Sequence, residues 1–151
     1  MINNGLILLV EDNPDDYEAT VRSLKKNHLT NPIKWCKSGK DAYDYLHRIN
    51  AYSDDSDVHT PIMILLDLNM PGMDGRELLR EMKKDDSLRR IPTIVLTTSN
   101  DPMDVDQCYL IGASTYIQKP VGFKGLTESL KTMKDYWFGI AILPVQEDEN
   151  G

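Results

Sequence analysis

The chain has 151 residues and a formal charge of −7, with 17 Asp against 7 Glu among its 24 acidic side chains. Its length suits one domain with a real core, and 40% hydrophobic with 27% charged residues argues against global disorder. The acidic balance excludes nucleic acid or an anionic membrane surface as the main partner. No apolar run approaches the ~20 residues of a membrane helix, and residues 1–10 lack the basic start of a signal peptide. Asp caps helices and ligates hard cations, so the Asp excess predicts many caps, a metal site, or both. Cys36 and Cys108 lie far apart among apolar neighbours. They read as buried free thiols, which places the chain in the cytoplasm.

Residues 6–10 are five consecutive apolar side chains, the pattern of a strand covered on both faces. A polar run, 11–16, leads into a helix carrying Tyr17, Val21 and Leu24 to about Asn27. Ile33–Cys36 is a second strand. Ser38 caps a helix holding Ala42, Tyr45, Leu46 and Ile49. Residues 50–60, with Asp54, Asp55 and Asp57, form an exposed loop. Residues 62–66 are a third, wholly apolar strand, and Pro71, Gly72 and Gly75 punctuate the stretch beyond it. A helix with Leu78, Leu79 and Met82 then runs to about Lys84. Residues 93–96 are strand four. Asp101 and Pro102 open a helix containing Val105 and Leu110, and Gly112 ends it. Residues 116–118 are strand five, stopped by Pro120. The last helix starts near Gly122 and carries Leu126, Leu130, Met133 and Trp137 on one stripe. Five β–α units in succession imply an α/β fold, a parallel sheet with helices on both faces. Its ligand crevice lies at the carboxyl ends of the strands.

Those ends carry one chemistry. Glu11 and Asp12 follow strand one, Asp67 and then Asn69 follow strand three, Thr97 and Thr98 follow strand four, and Lys119 follows strand five. Three carboxylates in one crevice repel unless a cation joins them. An oxygen-only donor set favours Mg²⁺ over zinc. A cation, an ammonium and a hydroxyl around a carboxylate suit phosphoryl transfer, with the carboxylate as acceptor. Each residue alone has a bland reading as a cap, turn or packing group; the agreement of four strand ends outweighs it. His28, His47 and His59 are isolated and receive no role.

The segments Leu8-Leu9-Val10-Glu11-Asp12, Leu66-Asp67-Leu68-Asn69-Met70-Pro71-Gly72-Met73-Asp74-Gly75, Leu96-Thr97 and Gly112-Ala113-Ser114-Thr115-Tyr116-Ile117-Gln118-Lys119-Pro120 resemble receiver domains of two-component response regulators. The likeness covers about residues 5–135. It implies a doubly wound, flavodoxin-like fold with five parallel strands in the order 2-1-3-4-5 and five helices. By that resemblance Asp67 accepts phosphate from a histidine kinase. Glu11, Asp12, Asp67 and the main-chain carbonyl of Asn69 would hold Mg²⁺, and Lys119 would pair with the phosphate. The switch hydroxyl maps to Thr97, 22 residues before Lys119, with Thr98 as the alternative, and Tyr116 matches the aromatic switch residue. The Lys119–Pro120 bond resembles one that is often cis. Phosphorylation would add nearly two negative charges. Thr97 would then move toward them and Tyr116 fill the space, biasing the face made by helix four, strand five and helix five.

Residues 1–143 are expected to form one receiver domain with a C-terminal helix extension, and 144–151 an acidic tail. With no room for an output domain, such a stand-alone regulator signals through partners or passes the phosphate on. Trp137 and Ile140 suit the core stripe, which leaves Tyr136, Phe138, Ile142 and Leu143 as surplus apolar surface. A homodimer through the helix-four to helix-five face and this segment accounts for it; the alternative is that the segment folds back over its own domain. Asn13-Pro14, the acidic loop and the C-terminal segment together resemble regulators paired with bacterial phytochromes, light-sensing histidine kinases. Two competing functions stand beside this: a haloacid-dehalogenase-like Mg²⁺ phosphatase, which wants an acid where Asn69 stands, and a binding module independent of phosphorylation.

Overall fold

Strand β1 (Ile7–Val10) is buried along its whole length because both of its faces are covered. Ile7 and Leu9 point to one side of the sheet, Leu8 and Val10 to the other, and each pair enters a separate apolar cluster. The computed structural model describes residues 4–144, and the other elements build outward from this strand. They are α1 (Pro14–Lys26), β2 (Ile33–Cys36), α2 (Gly39–His47), β3 (Met63–Leu66), α3 (Gly75–Lys84), β4 (Thr93–Thr97), α4 (Pro102–Ile111), β5 (Thr115–Gln118) and α5 (Phe123–Gly139). All strands are parallel, in the order β2-β1-β3-β4-β5, as the resemblance implied. Helices α1 and α5 cover one face over Ile7, Leu9, Met63, Leu65, Ile94 and Leu96. Helices α2, α3 and α4 cover the other over Leu8, Val10, Ile64, Leu66 and Val95.

Register places the site. Val10 lies opposite Cys36 on one side and Leu66 on the other, so β1 and β3 end level and Glu11 stands beside Asp67. The Asp67 N–H donates to the Val10 carbonyl at 3.0 Å. Gly75 makes the turn beyond Asp67 possible. A Cβ there would lie 2.4 Å from the Asp67 carbonyl oxygen.

Several local expectations need correction. Helix α2 stops at His47 because Arg48 takes a left-handed conformation (φ 55°), so Ile49 falls outside the helix and is exposed. Residues 50–60 are not uniformly a solvated loop. Asn50–Tyr52 forms a 3₁₀ turn, the Tyr52 hydroxyl donates to Asp41 at 2.6 Å, and Val58 is buried in the core. Ile140 does not join the core stripe. Helix α5 ends at Gly139, and a turn closed by Ala141 N–H on the Tyr136 carbonyl at 2.7 Å sends Ile140 outward. Phe138 packs against the core instead, and Leu143 is buried, which removes two of the four residues read as surplus. Among the described residues no peptide bond is cis, so Lys119–Pro120 is trans, the isomer favoured by roughly 0.5–1 kcal/mol before proline. The acidic tail beyond Pro144 lies outside the described residues.

Candidate functional site

Glu11, Asp12, Asn13, Asp16, Asp67, Asn69, Thr98 and Lys119 line one open pocket of about 250 Å³ at the carboxyl end of the sheet. The β1–α1 turn supplies its first wall. The Asn13 side chain caps α1, accepting from the N–H groups of Asp15 (2.8 Å) and Asp16 (3.1 Å), and Pro14 takes the first helical position. One carboxylate oxygen from each of Glu11, Asp12 and Asp67 lies within 4.8 Å of the others. That set is all oxygen, two buried and one exposed, and it fits a hard divalent cation. Lys119, 9% exposed at its side chain, donates to Glu11 Oε1 at 2.7 Å and reaches Asp16 Oδ2 at 3.5 Å.

These charges constrain one another. Burial pushes the Glu11 carboxyl up to about 7 against the pull of Lys119. Burial also raises Asp67, opposed by Lys119 and by hydrogen bonds from the Asn69 N–H, the Glu11 carboxyl and the Thr97 hydroxyl. Burial works against the charge on Lys119, but Glu11, Asp67 and Asp16 together hold it above its ordinary value. With all three carboxylates ionised, two of them desolvated, and one fixed cation, the site is short of positive charge by the two units a divalent ion would bring.

The structure brings together Glu11, Asp12, Asp67, Asn69 and Lys119. Thr97 is fully buried at the end of β4, where its Oγ1 accepts from Asn69 Nδ2 at 3.4 Å and its hydroxyl reaches Asp67. Thr98, the alternative, is exposed on the pocket wall. Tyr116 stands farther off. It is half-buried against the α3–α4 side of the core, and its hydroxyl donates to the Ser99 carbonyl at 2.9 Å. Asp16 was the residue missed. It lies in the first turn of α1, and the Asn13 cap is the signal that sets that turn at the pocket.

Residues 7–131 match the response regulator receiver domain. The chain belongs to this family. It is 38% identical over 134 residues to the probable methanogenesis regulatory protein FilR2 of Methanothrix harundinacea, covering 89% of this chain and 84% of that one. It is 34% identical over 139 residues to the response regulator Rcp1 of Synechocystis sp., covering 92% of each. Among solved structures it is similar to the phosphorylated cyanobacterial phytochrome response regulator RcpA, with TM-score 0.86 and 34% identity over 95% of this chain and 100% of that one. It also resembles the Mn²⁺-bound form of Rcp1, with TM-score 0.85 and 33% identity over 93% and 99%. Receiver domains are phosphoacceptor switch proteins that interact with histidine kinases and bind a divalent metal at this acidic pocket. No helix among the described residues is long and apolar enough to cross a membrane.

Proposed function

We propose that this receiver accepts a phosphoryl group on Asp67 from a histidine kinase and thereby changes its partner binding. The observation that carries the reading is the buried Asp67 carboxylate, set beside Glu11 and Asp12 in one pocket with the Lys119 ammonium. An Asp67 oxygen attacks phosphorus, the bond to the kinase imidazole breaks, and its electron pair leaves on the imidazole nitrogen. Glu11, Asp12, Asp67 and the Asn69 main-chain carbonyl would hold Mg²⁺. When bound, the ion offsets the negative charge that gathers as the phosphoryl group transfers. Lys119 leaves Glu11 to pair with a phosphoryl oxygen. Thr97 turns its hydroxyl to another, and Tyr116 follows into the space that Thr97 vacates. These events shift a population rather than drive turnover, so the protein is a switch with slow self-dephosphorylation and not a phosphatase. Asn69, at the position where a phosphatase needs its general acid, supports that distinction.

The likeness to RcpA and Rcp1 favours a bacterial phytochrome as the kinase, and hence a cytoplasmic light-signalling pathway. Residues 1–143 act as a single receiver unit. Acetyl phosphate with Mg²⁺ should label the wild type and leave Asp67→Asn unlabelled, as read by phosphate-affinity electrophoresis. Labelling of the variant at another residue would overturn the acceptor assignment.

A further inference from the structure

We infer that Trp35 is a positioning residue for the metal-binding turn, fixing Glu11 and Asp12 through the main chain; the role deepens the phosphoacceptor reading and rests on it. Trp35 lies on β2, at the edge of the sheet. The β1–β2 ladder ends at the Glu11 N–H, which donates to the Cys36 carbonyl at 3.0 Å. The chain must then leave the sheet, present Asp12 and start α1. At that point the Trp35 indole N–H donates to the Glu11 carbonyl at 2.7 Å. The ring is itself fixed. Tyr17 stacks on it at 3.9 Å between centroids with planes 9° apart, and Lys37 Nζ lies 4.8 Å from its centroid. Tyr17 belongs to the same turn, since its N–H donates to the Asn13 carbonyl at 2.9 Å. Glu11, Asn13, Tyr17 and Trp35 thus close a circuit around the turn.

That circuit has a purpose in a site made of repelling anions. Lys119 offsets one charge at most, and without a metal ion the remaining negative charge pushes Glu11, Asp12 and Asp67 apart. A turn free to yield would spread them, and metal binding would have to gather them again at an entropic cost. Trp35 supplies no ligand atom. It holds the peptide between two ligating residues, so the donor set stays gathered before the ion arrives. Partners that orient metal ligands contribute about 10–100-fold in affinity when they bond the ligand group itself. One acting through the main chain belongs at the low end, about 10-fold.

The test is calorimetric titration of Mg²⁺ into the full chain, its Trp35→Phe, Trp35→His and Tyr17→Leu variants, with acetyl-phosphate labelling measured across Mg²⁺ concentrations. Trp35→Phe keeps a ring for the stack and loses the donor. It should weaken Mg²⁺ binding about 10-fold. Half-saturation of labelling should shift by the same factor, with the rate at saturating Mg²⁺ within about twofold of wild type. Trp35→His, which keeps a ring N–H, should bind more tightly than Trp35→Phe. Tyr17→Leu, which keeps the donor, should shift binding by less than about threefold. The proposal is overturned if Trp35→Phe binds Mg²⁺ as wild type does, if Tyr17→Leu weakens binding equally, or if Trp35→His binds no better than Trp35→Phe. If Trp35→Phe does not fold, the Trp35→His and Tyr17→Leu titrations decide, and a larger loss in Tyr17→Leu than in Trp35→His overturns it. A wild type that binds Mg²⁺ but takes no phosphate overturns the phosphoacceptor reading instead, and the titrations still decide the role of Trp35.

Discussion

Glu11 sits at a balance between a cation that wants it ionised and a pocket that does not. Its folded value of about 7 lies above the ordinary 4.5, so the folded protein favours the neutral carboxyl. The stability this contributes is complete below about pH 4.5 and is lost as pH rises through 7. Metal-free protein should therefore lose melting temperature between pH 5 and pH 8 through this group. Glu11→Gln should flatten that slope, as read by thermal unfolding in chelator. Mg²⁺ reverses the dependence, because it takes the ionised form: the gain in melting temperature on adding Mg²⁺ should grow from pH 5 to pH 8. An equal slope in wild type and variant would reject the assignment to Glu11. The ordinary sequence of Glu11 and Asp12 after an apolar run was enough to mark the site. The Lys119–Asp16 contact was not legible, because it depends on how α1 is rotated against the sheet.

At the scale of elements, close approach decides more than propensity. Gly39 opens α2, where alanine would gain roughly 1 kcal/mol in helix propensity. Yet a Cβ there would lie 2.0 Å from the Met73 carbonyl oxygen, in the loop between Asp67 and α3. Gly39→Ala should lower stability by about 1–3 kcal/mol, the usual cost of overpacking. Urea denaturation measures it, and a stabilised variant would show that the loop yields freely. Strands were the most legible elements. β1, β3 and β4 are buried on both faces, so β1 and β3 read as unbroken apolar runs and β4 as the apolar stretch Ile94–Leu96 between two threonines. Helix caps were legible too, with Ser38 and Asp101 accepting from N–H groups of their own first turns. What the pattern hid was backbone geometry without a residue signature. Arg48 ends α2 in a conformation usually taken by glycine, and the turn after Gly139 exchanges Ile140 for Leu143 against the core.

For the whole molecule, the uncovered apolar surface is uneven. Helix α4 buries only Cys108 and leaves Met103, Tyr109 and Leu110 exposed, with Leu110 at 85%. Tyr136, Ile140 and Ile142 are likewise exposed at and just beyond the end of α5, Ile142 at 96%. A second copy of the chain seated on α4, β5 and α5 would cover these residues, and that is the homodimer we propose. Leu110→Arg and Ile142→Arg should each weaken self-association at least about 10-fold, equivalent to about 1.4 kcal/mol. Sedimentation equilibrium measures this. Monomer alone in the wild type, with and without beryllofluoride as a phosphate mimic, would remove the dimer.

The two thiols are sealed in different places. Cys36 ends the edge strand β2 with its acidity suppressed by burial, its value pushed up to about 12, and Cys108 is the buried residue on the inner side of α4. Each should react with an alkylating reagent only when its cover opens, α2 lifting from β2 in one case and α4 lifting from the sheet in the other. The chain thus carries two built-in stopwatches. One times the opening of α2 over the edge strand beside the acidic turn, and the other times α4 toward the opposite edge of the sheet, where the signal would leave the molecule.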